Sequence, residues 1–203
     1  MPEEHRHDPD SWDFTEVLGR PEFHLHEALR NLWPVFYYTM RIGDSILEVG
    51  AGSGKGAILA KRLSPHKRVV ALDCAEQACQ VERLYQRAAG TQLEAVIRAD
   101  ALHLPFQDQS FGIAYSIGML EHYPDEWIRA AVSEQLRVAE AVLVSVPLDR
   151  YLMVFKGNHG DERPMDKVTW LHLLSQVGDI VELAFTGPQT EEYWLQVILT
   201  GRR

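Results

Sequence analysis

The stretch SILEVGAGSGKG, from Ser45 to Gly56, decides the fold. It opens with an apolar run that contains one acid, Glu48, and continues with glycines at every second position, Gly50, Gly52 and Gly54. The residues after it have apolar side chains at helical spacing. This pattern predicts a buried strand, a tight glycine turn and a helix. Glycine allows backbone angles that a Cβ forbids and lets the main chain approach a ligand closely.

Two common phosphate-binding patterns do not fit this turn. A P-loop needs a glycine six residues before its lysine and a Ser or Thr just after it, but Val49 and Gly56 occupy those positions around Lys55. The G-x-G-x-x-G spacing of dinucleotide-binding turns is also absent. Instead, Glu48 lies two residues before the first glycine. A carboxylate there repels a pyrophosphate and suits a ligand with an ammonium or sulfonium charge, such as S-adenosylmethionine (SAM).

Apolar runs and helical patterns alternate along the next hundred residues. Strands are expected at RVVALD, LEAVIRAD, FGIAYSIG and EAVLVSVP, and helices at CAEQACQVERLYQRAA and DEWIRAAVSEQLRVA. Continuous apolar strands separated by helices indicate a parallel sheet with helices on both faces. The alternation ends after Pro147, where a helix at DKVTWLHLLSQVG precedes two strands, DIVELAFTG and EEYWLQVILTGRR. We expect these last two strands to form an antiparallel pair.

Four blocks resemble the class I SAM-dependent methyltransferases, especially the branch that includes quinone-biosynthesis enzymes. In chain order they are ILEVGAGSG, VVALDCAEQA, IRADALHLPFQDQSF and SIGMLEHYPD. The resemblance implies a Rossmann-like α/β fold, with a central, mostly parallel seven-stranded sheet and helices on both faces, and SAM as the cofactor. The methyltransferase domain would cover residues 41–203. Residues 1–40 would form a leader and partial lid over the pocket, or their aromatic side chains would simply pack on the sheet edge.

The resemblance also assigns cofactor contacts near the carboxyl ends of the strands, where open parallel sheets bind ligands. Asp73 would accept hydrogen bonds from the ribose hydroxyls, Asp100 one from the adenine amino group, and Glu48 would hold the ammonium end directly or through water. The remaining expected contacts are Gly50, Ala51, Gly52, Gly54, Cys74, Ala101, Leu102, Ser116 and Ile117. Taken alone, an Asp at a strand end is also a common turn former or N-cap.

His122 is the candidate general base, because imidazole titrates near neutral pH; alternatively, the Glu121–His122 pair only shapes its loop.

Catechol-type methyltransferases have a metal-binding Asp near the position that Ser116 occupies in this chain. Because Ser116 is not an aspartate, we expect metal-free transfer. The polar loop GNHGDERP either contacts the acceptor or is an exposed connection. Where close relatives have F-D-x-V, this chain has Phe111-Gly112-Ile113-Ala114, a change expected to affect strand packing.

The composition of the chain narrows the range of expected binding partners and locations. With 20 Lys and Arg against 29 Asp and Glu, the formal charge is −9, which disfavours nucleic acid. The cysteines, Cys74 and Cys79, face different sides of one predicted helix and are expected to be reduced. The sequence contains neither a signal peptide nor an apolar run of about 18 residues, so we expect a cytoplasmic protein without a membrane span.

The sequence therefore predicts a SAM-dependent methyltransferase that transfers a methyl group to oxygen or nitrogen of a small-molecule acceptor. Two alternatives stay open. One is a SAM-binding sensor or subunit without transferase activity. The other is a methyltransferase that acts on a protein or RNA.

Overall fold

The computed structural model describes residues 33–155, 162–186 and 193–202. Its centre is a seven-stranded sheet with the strand order β3-β2-β1-β4-β5-β7-β6. The strands are β1 (Ser45–Val49), β2 (Arg68–Asp73), β3 (Ala95–Arg98), β4 (Phe111–Ile117), β5 (Ala139–Pro147), β6 (Asp179–Thr186) and β7 (Trp194–Thr200). The helices are α1 (Trp33–Arg41), α2 (Lys55–Leu63), α3 (Glu76–Ala89), α4 (Asp125–Val138), α5 (Asp149–Phe155) and α6 (Lys167–Ser175), and a short 3-10 helix covers Leu120–His122.

The first five strands are parallel, and β7 runs antiparallel between β5 and β6. This arrangement confirms the expected Rossmann-like fold, including the closing antiparallel pair. The chain builds outward from β1 to β3 and then returns to β4 on the other side of β1. Ligands of open α/β sheets bind in the crevice at such a reversal, beyond the carboxyl ends of the strands. The glycine turn after β1 lies at this point.

Helices cover both faces of the sheet, which explains why its strands are continuously apolar. On one face, Phe36 of α1 and Ile58 of α2 are fully buried against β1 and β4. On the other face, Ile128 of α4 and Trp170 of α6 are equally buried. Within the described residues, no helix combines the length and apolar character needed to cross a membrane.

Helix α3 begins at Glu76, two residues later than the sequence pattern suggests. Cys74 therefore lies in the turn between β2 and α3, where it is exposed, whereas Cys79 is buried within the helix. The expectation that both cysteines lie on one helix is wrong. At its other end, α3 closes as expected at Gly90, whose φ of +59° is the left-handed conformation typical of a glycine C-cap.

The structure gives a packing reason for the glycine at the second position of β4. A Cβ on Gly112 would lie 2.5 Å from the Cα of Gly43, in the turn before β1. Two main chains touch here, and no side chain fits between them. The aspartate of the F-D-x-V pattern would therefore collide with the backbone at the amino edge of the sheet, far from the glycine turn.

A buried lysine fastens α1 to the amino edge of the sheet. The Lys67 side chain is 3% exposed, and its Nζ donates to the carbonyl oxygens of Thr39, Ile42 and Gly43 at 3.0, 3.2 and 2.5 Å. The Thr39 carbonyl belongs to the last turn of α1 and the other two follow the helix, where a cation also complements the helix dipole. Residues 33–40 thus pack as part of the domain. Residues 1–32 of the leader and partial lid expected over residues 1–40 lie outside the described residues.

We expect Lys67→Met to lower the free energy of unfolding by about 2 kcal/mol or more, because hydrogen bonds from a charged donor contribute about 1.5–3 kcal/mol. Chemical denaturation would measure this change. Lys167→Met, at an exposed position of α6, is the control and should shift stability by less than about 0.5 kcal/mol. Equal effects of the two substitutions would contradict the assigned role of Lys67.

Candidate functional site

The glycine turn is anchored to the neighbouring strand by its own backbone. The N–H groups of Gly50 and Ala51 both donate to the carbonyl oxygen of Leu72 in β2, at 2.9 and 3.0 Å. Gly50, Gly52 and Gly54 have φ values of +70°, +55° and +74°. An L side chain rarely adopts such angles. The turn therefore takes its shape because these positions are glycine.

Two side chains from different elements pack closely against the turn. A Cβ on Gly50 would come within 3.0 Å of the sulfur of Met119, which precedes the 3-10 helix. A Cβ on Gly54 would meet Glu82 of α3 equally closely. The sequence analysis singled out neither Met119 nor Glu82, because each is brought to the turn by a contact distant along the chain.

Asp73 joins the turn to the end of β2. Its Oδ2 accepts a hydrogen bond from the N–H of Gly52 at 2.8 Å, and its Oδ1 accepts one from Ala75 at 2.9 Å. The side chain is 9% exposed. A carboxylate has about four acceptor positions, so each oxygen keeps one for a ligand at the carboxyl edge. The structure thus places Asp73 together with the predicted glycines.

Glu48 lies beneath the turn. Its Oε2 accepts a hydrogen bond from the N–H of Ala57 in the first turn of α2 at 2.5 Å, and the side chain is 4% exposed. Tyr115 is its register partner on β4. Burial raises the pKa of Glu48 to about 8, against the lowering effect of the Ala57 bond. Glu48 consequently supports the turn and the start of α2, and its burial leaves little surface for direct contact with a ligand.

We call the space beyond the carboxyl ends of the strands the cleft. The glycine turn forms one wall of it, and the segment after β3 forms the second. The Oδ1 of Asp100 accepts a hydrogen bond from the N–H of Leu102 at 2.9 Å, and the Asp100 side chain is exposed. Ala101 and Leu102 are half-buried and pack on the core. This wall adjoins the end of β2, because Arg98 of β3 donates through Nε to the carbonyl oxygen of Cys74 at 3.0 Å.

Arg137 holds this wall in place from α4. Its Nη1 donates to the carbonyl oxygen of Phe106 and to Asp108, both at 2.8 Å. Its Nη2 donates to the carbonyl oxygen of Leu104 at 3.0 Å and to Glu134 at 2.8 Å. The β3–β4 connection is therefore a fixed loop. Sequence reasoning missed Arg137, since an arginine on a helix usually faces solvent.

The remaining predicted residues lie at or after the carboxyl end of β4, and they differ in how exposed they are. Ser116 is fully buried, so its hydroxyl does not line the cleft surface, whereas Ile117 is half-buried at the strand end. The main chain then turns, and the N–H of Gly118 donates to the carbonyl oxygen of Ser145 at 3.0 Å. His122 is half-buried at the end of the 3-10 helix, which places it on the β4 side of the cleft.

Arg163 has a structural role. Its backbone N–H donates to the carbonyl oxygen of Glu121 at 2.9 Å, and its guanidinium donates to the carbonyl oxygen of Tyr123 at 2.5 Å and to Asp125 at 2.7 Å. These bonds attach the segment before α6 to the loop that carries His122. Residues 156–161 of the polar loop lie outside the described residues. Within the described ranges, no group of three or more His, Cys, Asp or Glu side chains is arranged to hold a metal ion.

We expect Gly54→Ala to destabilise the protein more than Gly90→Ala. Both glycines have left-handed φ values, +74° and +59°, but a Cβ at Gly90 meets no atom within 4 Å, whereas one at Gly54 collides with Glu82. The shared backbone strain costs about 1–2 kcal/mol, so the excess loss in Gly54→Ala measures the collision. Thermal unfolding of both variants would test this, and equal losses would contradict the tight packing of the turn.

Known proteins resemble this chain in sequence and in fold. A family model described as a methyltransferase domain matches residues 46–141. The 27-O-demethylrifamycin SV methyltransferase of Amycolatopsis mediterranei is 33% identical over 118 residues, which are 57% of this chain and 40% of that protein. The malonyl-(acyl-carrier protein) O-methyltransferase of Xylella fastidiosa is 29% identical over 176 residues, 86% of this chain and 57% of that protein. The chain thus spans about half the length of these relatives.

A solved structure, the PH0226 protein of Pyrococcus horikoshii, covers 100% of both chains with a TM-score of 0.75 and 16% identity, a likeness of fold. Three findings are consistent with a methyltransferase domain: the order of the strands, the glycine turn bound to Asp73, and the match to the family model. Residues 46–141, just under half of the chain, thus match a methyltransferase domain, and the sequence resembles those of SAM-dependent methyltransferases.

Proposed function

We propose that this chain is a SAM-dependent methyltransferase that transfers a methyl group to an oxygen or nitrogen atom of a small-molecule acceptor, without a metal ion. The observation that carries the proposal is the bond between Asp73 and the Gly52 N–H at 2.8 Å. It joins a carboxylate to a glycine turn at the point where ligands of this fold bind. We also propose a cytoplasmic location.

The residues around the turn fit SAM. The glycines leave the main chain open to close approach by the methionine part. Asp73 keeps acceptor positions for the ribose hydroxyls, and exposed Asp100 has a carboxylate for the adenine amino group. Ala101 and Leu102 supply apolar surface for the adenine ring, beside the exposed Cys74. The buried acid Glu48 suits a cationic ligand better than a pyrophosphate.

In the proposed reaction, the chain itself orients the acceptor and removes its proton. SAM supplies a methyl group activated by its positively charged sulfur. The cleft between the glycine turn and the β4 end holds the acceptor in line with that group, an effect that can supply several kcal/mol of the barrier. His122 on the β4 side would accept the proton that the acceptor hydroxyl or amine loses.

The relatives support an oxygen acceptor, since the Xylella protein is named an O-methyltransferase. The formal charge of −9 favours a small molecule over a nucleic acid. A SAM-binding sensor or subunit would share the cofactor site and differ in turnover. Production of S-adenosylhomocysteine (SAH) with an acceptor would separate the two functions, and a panel of small hydroxylated and amino compounds is the first set to screen.

We expect calorimetric titration to show saturable binding of SAM and SAH, weakened about 10- to 100-fold by Asp73→Asn. The estimate follows from about 1.5–3 kcal/mol for hydrogen bonds to a charged group. Asp179→Asn, at an exposed strand start on the opposite edge, should leave both affinities unchanged. If the wild-type protein bound neither ligand, the proposed function would be wrong.

We expect His122→Gln to reduce kcat by about 100-fold or more with an identified acceptor, because a positioned general base contributes about 10²–10⁴. The dissociation constant of SAM should remain unchanged, and the acidic limb of the pH–rate profile should disappear. A kcat close to that of the wild type, with the same pH profile, would assign His122 to loop structure alone.

A further inference from the structure

Glu82 is a buried acid directly behind the glycine turn. It lies on α3 with 0% exposure, and both of its carboxyl oxygens lack a hydrogen-bond partner among the described residues. Its Cγ and Cδ pack where a Cβ of Gly54 would otherwise lie. A carboxylate without hydrogen bonds or solvent is strongly disfavoured. The carboxyl group is consequently stable in this position only when it carries its proton.

The charges around Glu82 act in the same direction. Burial is the largest cause that raises the pKa of Glu82, and the nearby carboxyl groups of Glu48 from β1 and Asp73 from β2 add to it, so that the pKa reaches about 9. Arg83, exposed on the same helix, opposes this effect weakly. Tyr115 faces the group from β4 as a neutral phenol whose own pKa is raised by burial. The positive charge of Lys55, in the first turn of α2, lowers the pKa of Glu48 and so opposes the effect of burial there.

We propose that Glu82 is neutral in the empty protein and releases its proton when a cationic ligand binds at the glycine turn. The proposal rests on the proposed function, because it takes SAM, with its ammonium and sulfonium groups, as that cation. The O–H bond of the Glu82 carboxyl breaks, the electron pair stays on oxygen, and the proton goes to a buffer base. Glu82 acts through the turn without touching the ligand and is therefore a positioning residue.

This coupling distinguishes SAM from SAH. Both ligands carry the ammonium group, but only SAM carries the sulfonium charge. A positive charge favours the ionised carboxyl across a low-dielectric contact, so SAM should release more protons than SAH. After methyl transfer the stabilising charge is gone, Glu82 takes up a proton again, and SAH is held less tightly.

The sign of the pH dependence follows from the proton count. The SAM complex holds fewer protons than the free protein, so raising the pH favours the complex. Release of one proton from Glu82 should raise the affinity for SAM by up to about tenfold per pH unit. Glu48, whose pKa burial raises to about 8, adds a contribution that the Glu82 variants retain. The rise should end near pH 9, where Glu82 of the free protein is itself ionised. SAH should show a shallower rise over the same range.

Calorimetric titration of the full chain tests this inference without measuring turnover. SAM and SAH would be titrated between pH 6.5 and 9 in phosphate and in Tris, whose different ionisation enthalpies reveal the number of protons released. Glu82→Gln and Glu82→Met keep the length of the side chain and cannot ionise. Glu140→Gln, at an exposed position at the amino end of β5, is the control.

We expect both Glu82 variants to bind SAM, with reduced proton release and a flattened rise of affinity with pH, and the control to behave as wild type. If Glu82→Gln and Glu82→Met release as many protons as wild type, or if SAM and SAH release equal numbers, the inference is wrong and the proposed function stands. If neither ligand binds to the wild-type protein, both are wrong. A melting curve of each variant checks that it is folded.

Discussion

The close packing around the glycine turn is the constraint on which the site depends. Gly50, Gly54 and Gly56 lie against Met119, Glu82 and Glu48, which come from the β4 end, from α3 and from β1. A side chain at any of these glycines would push one of those elements away. The contacts that shape the ligand edge are therefore the same contacts that fix α3 and the β4 end relative to β1. Binding geometry and domain packing are inseparable here.

Much of this arrangement could be predicted because its signals are local. The acid and alternating glycines of one twelve-residue stretch specify a strand, a turn and a helix. The mostly parallel seven-stranded sheet is implied by the resemblance to class I methyltransferases, and Asp73 closes a strand whose apolar run is plain in the sequence. These features need no knowledge of which distant residues meet. For that reason the sequence predicts the fold and the position of the cleft.

The residues that were missed are charged groups held by contacts distant in sequence. Lys67, Glu82 and Arg137 each belong to a type that is normally exposed, and local patterns treat such residues as surface positions. Lys67 and Glu82 are buried, whereas Arg137 is partly exposed, and all three contact groups that other elements supply. Ser116 shows a related limit, since its strand-end position suggests a ligand contact whereas the pattern does not reveal that the residue is fully buried.

The cleft also combines rigid and polar components in a way that suits a charged ligand. Backbone bonds to the carbonyl oxygen of Leu72 fix one side of the turn, and the Arg137 contacts fix the wall that carries Asp100. Preformed walls lower the entropy that a ligand loses on binding. The carboxyl groups of Glu48, Glu82 and Asp73 around the turn meanwhile favour a cation over an anion, because any charge that they carry is negative.

The antiparallel direction of β7 has a practical consequence. Trp194, at its start, pairs with Pro147 at the carboxyl end of β5, whereas Thr200, at its end, pairs with Ala141 near the amino end. The main chain therefore leaves the sheet after Thr200 on the side opposite the cleft. An affinity tag, surface linker or fluorescent reporter attached beyond Thr200 would start at the far edge of the domain. Such an attachment would suit immobilised binding assays, because the ligand edge would face away from the support.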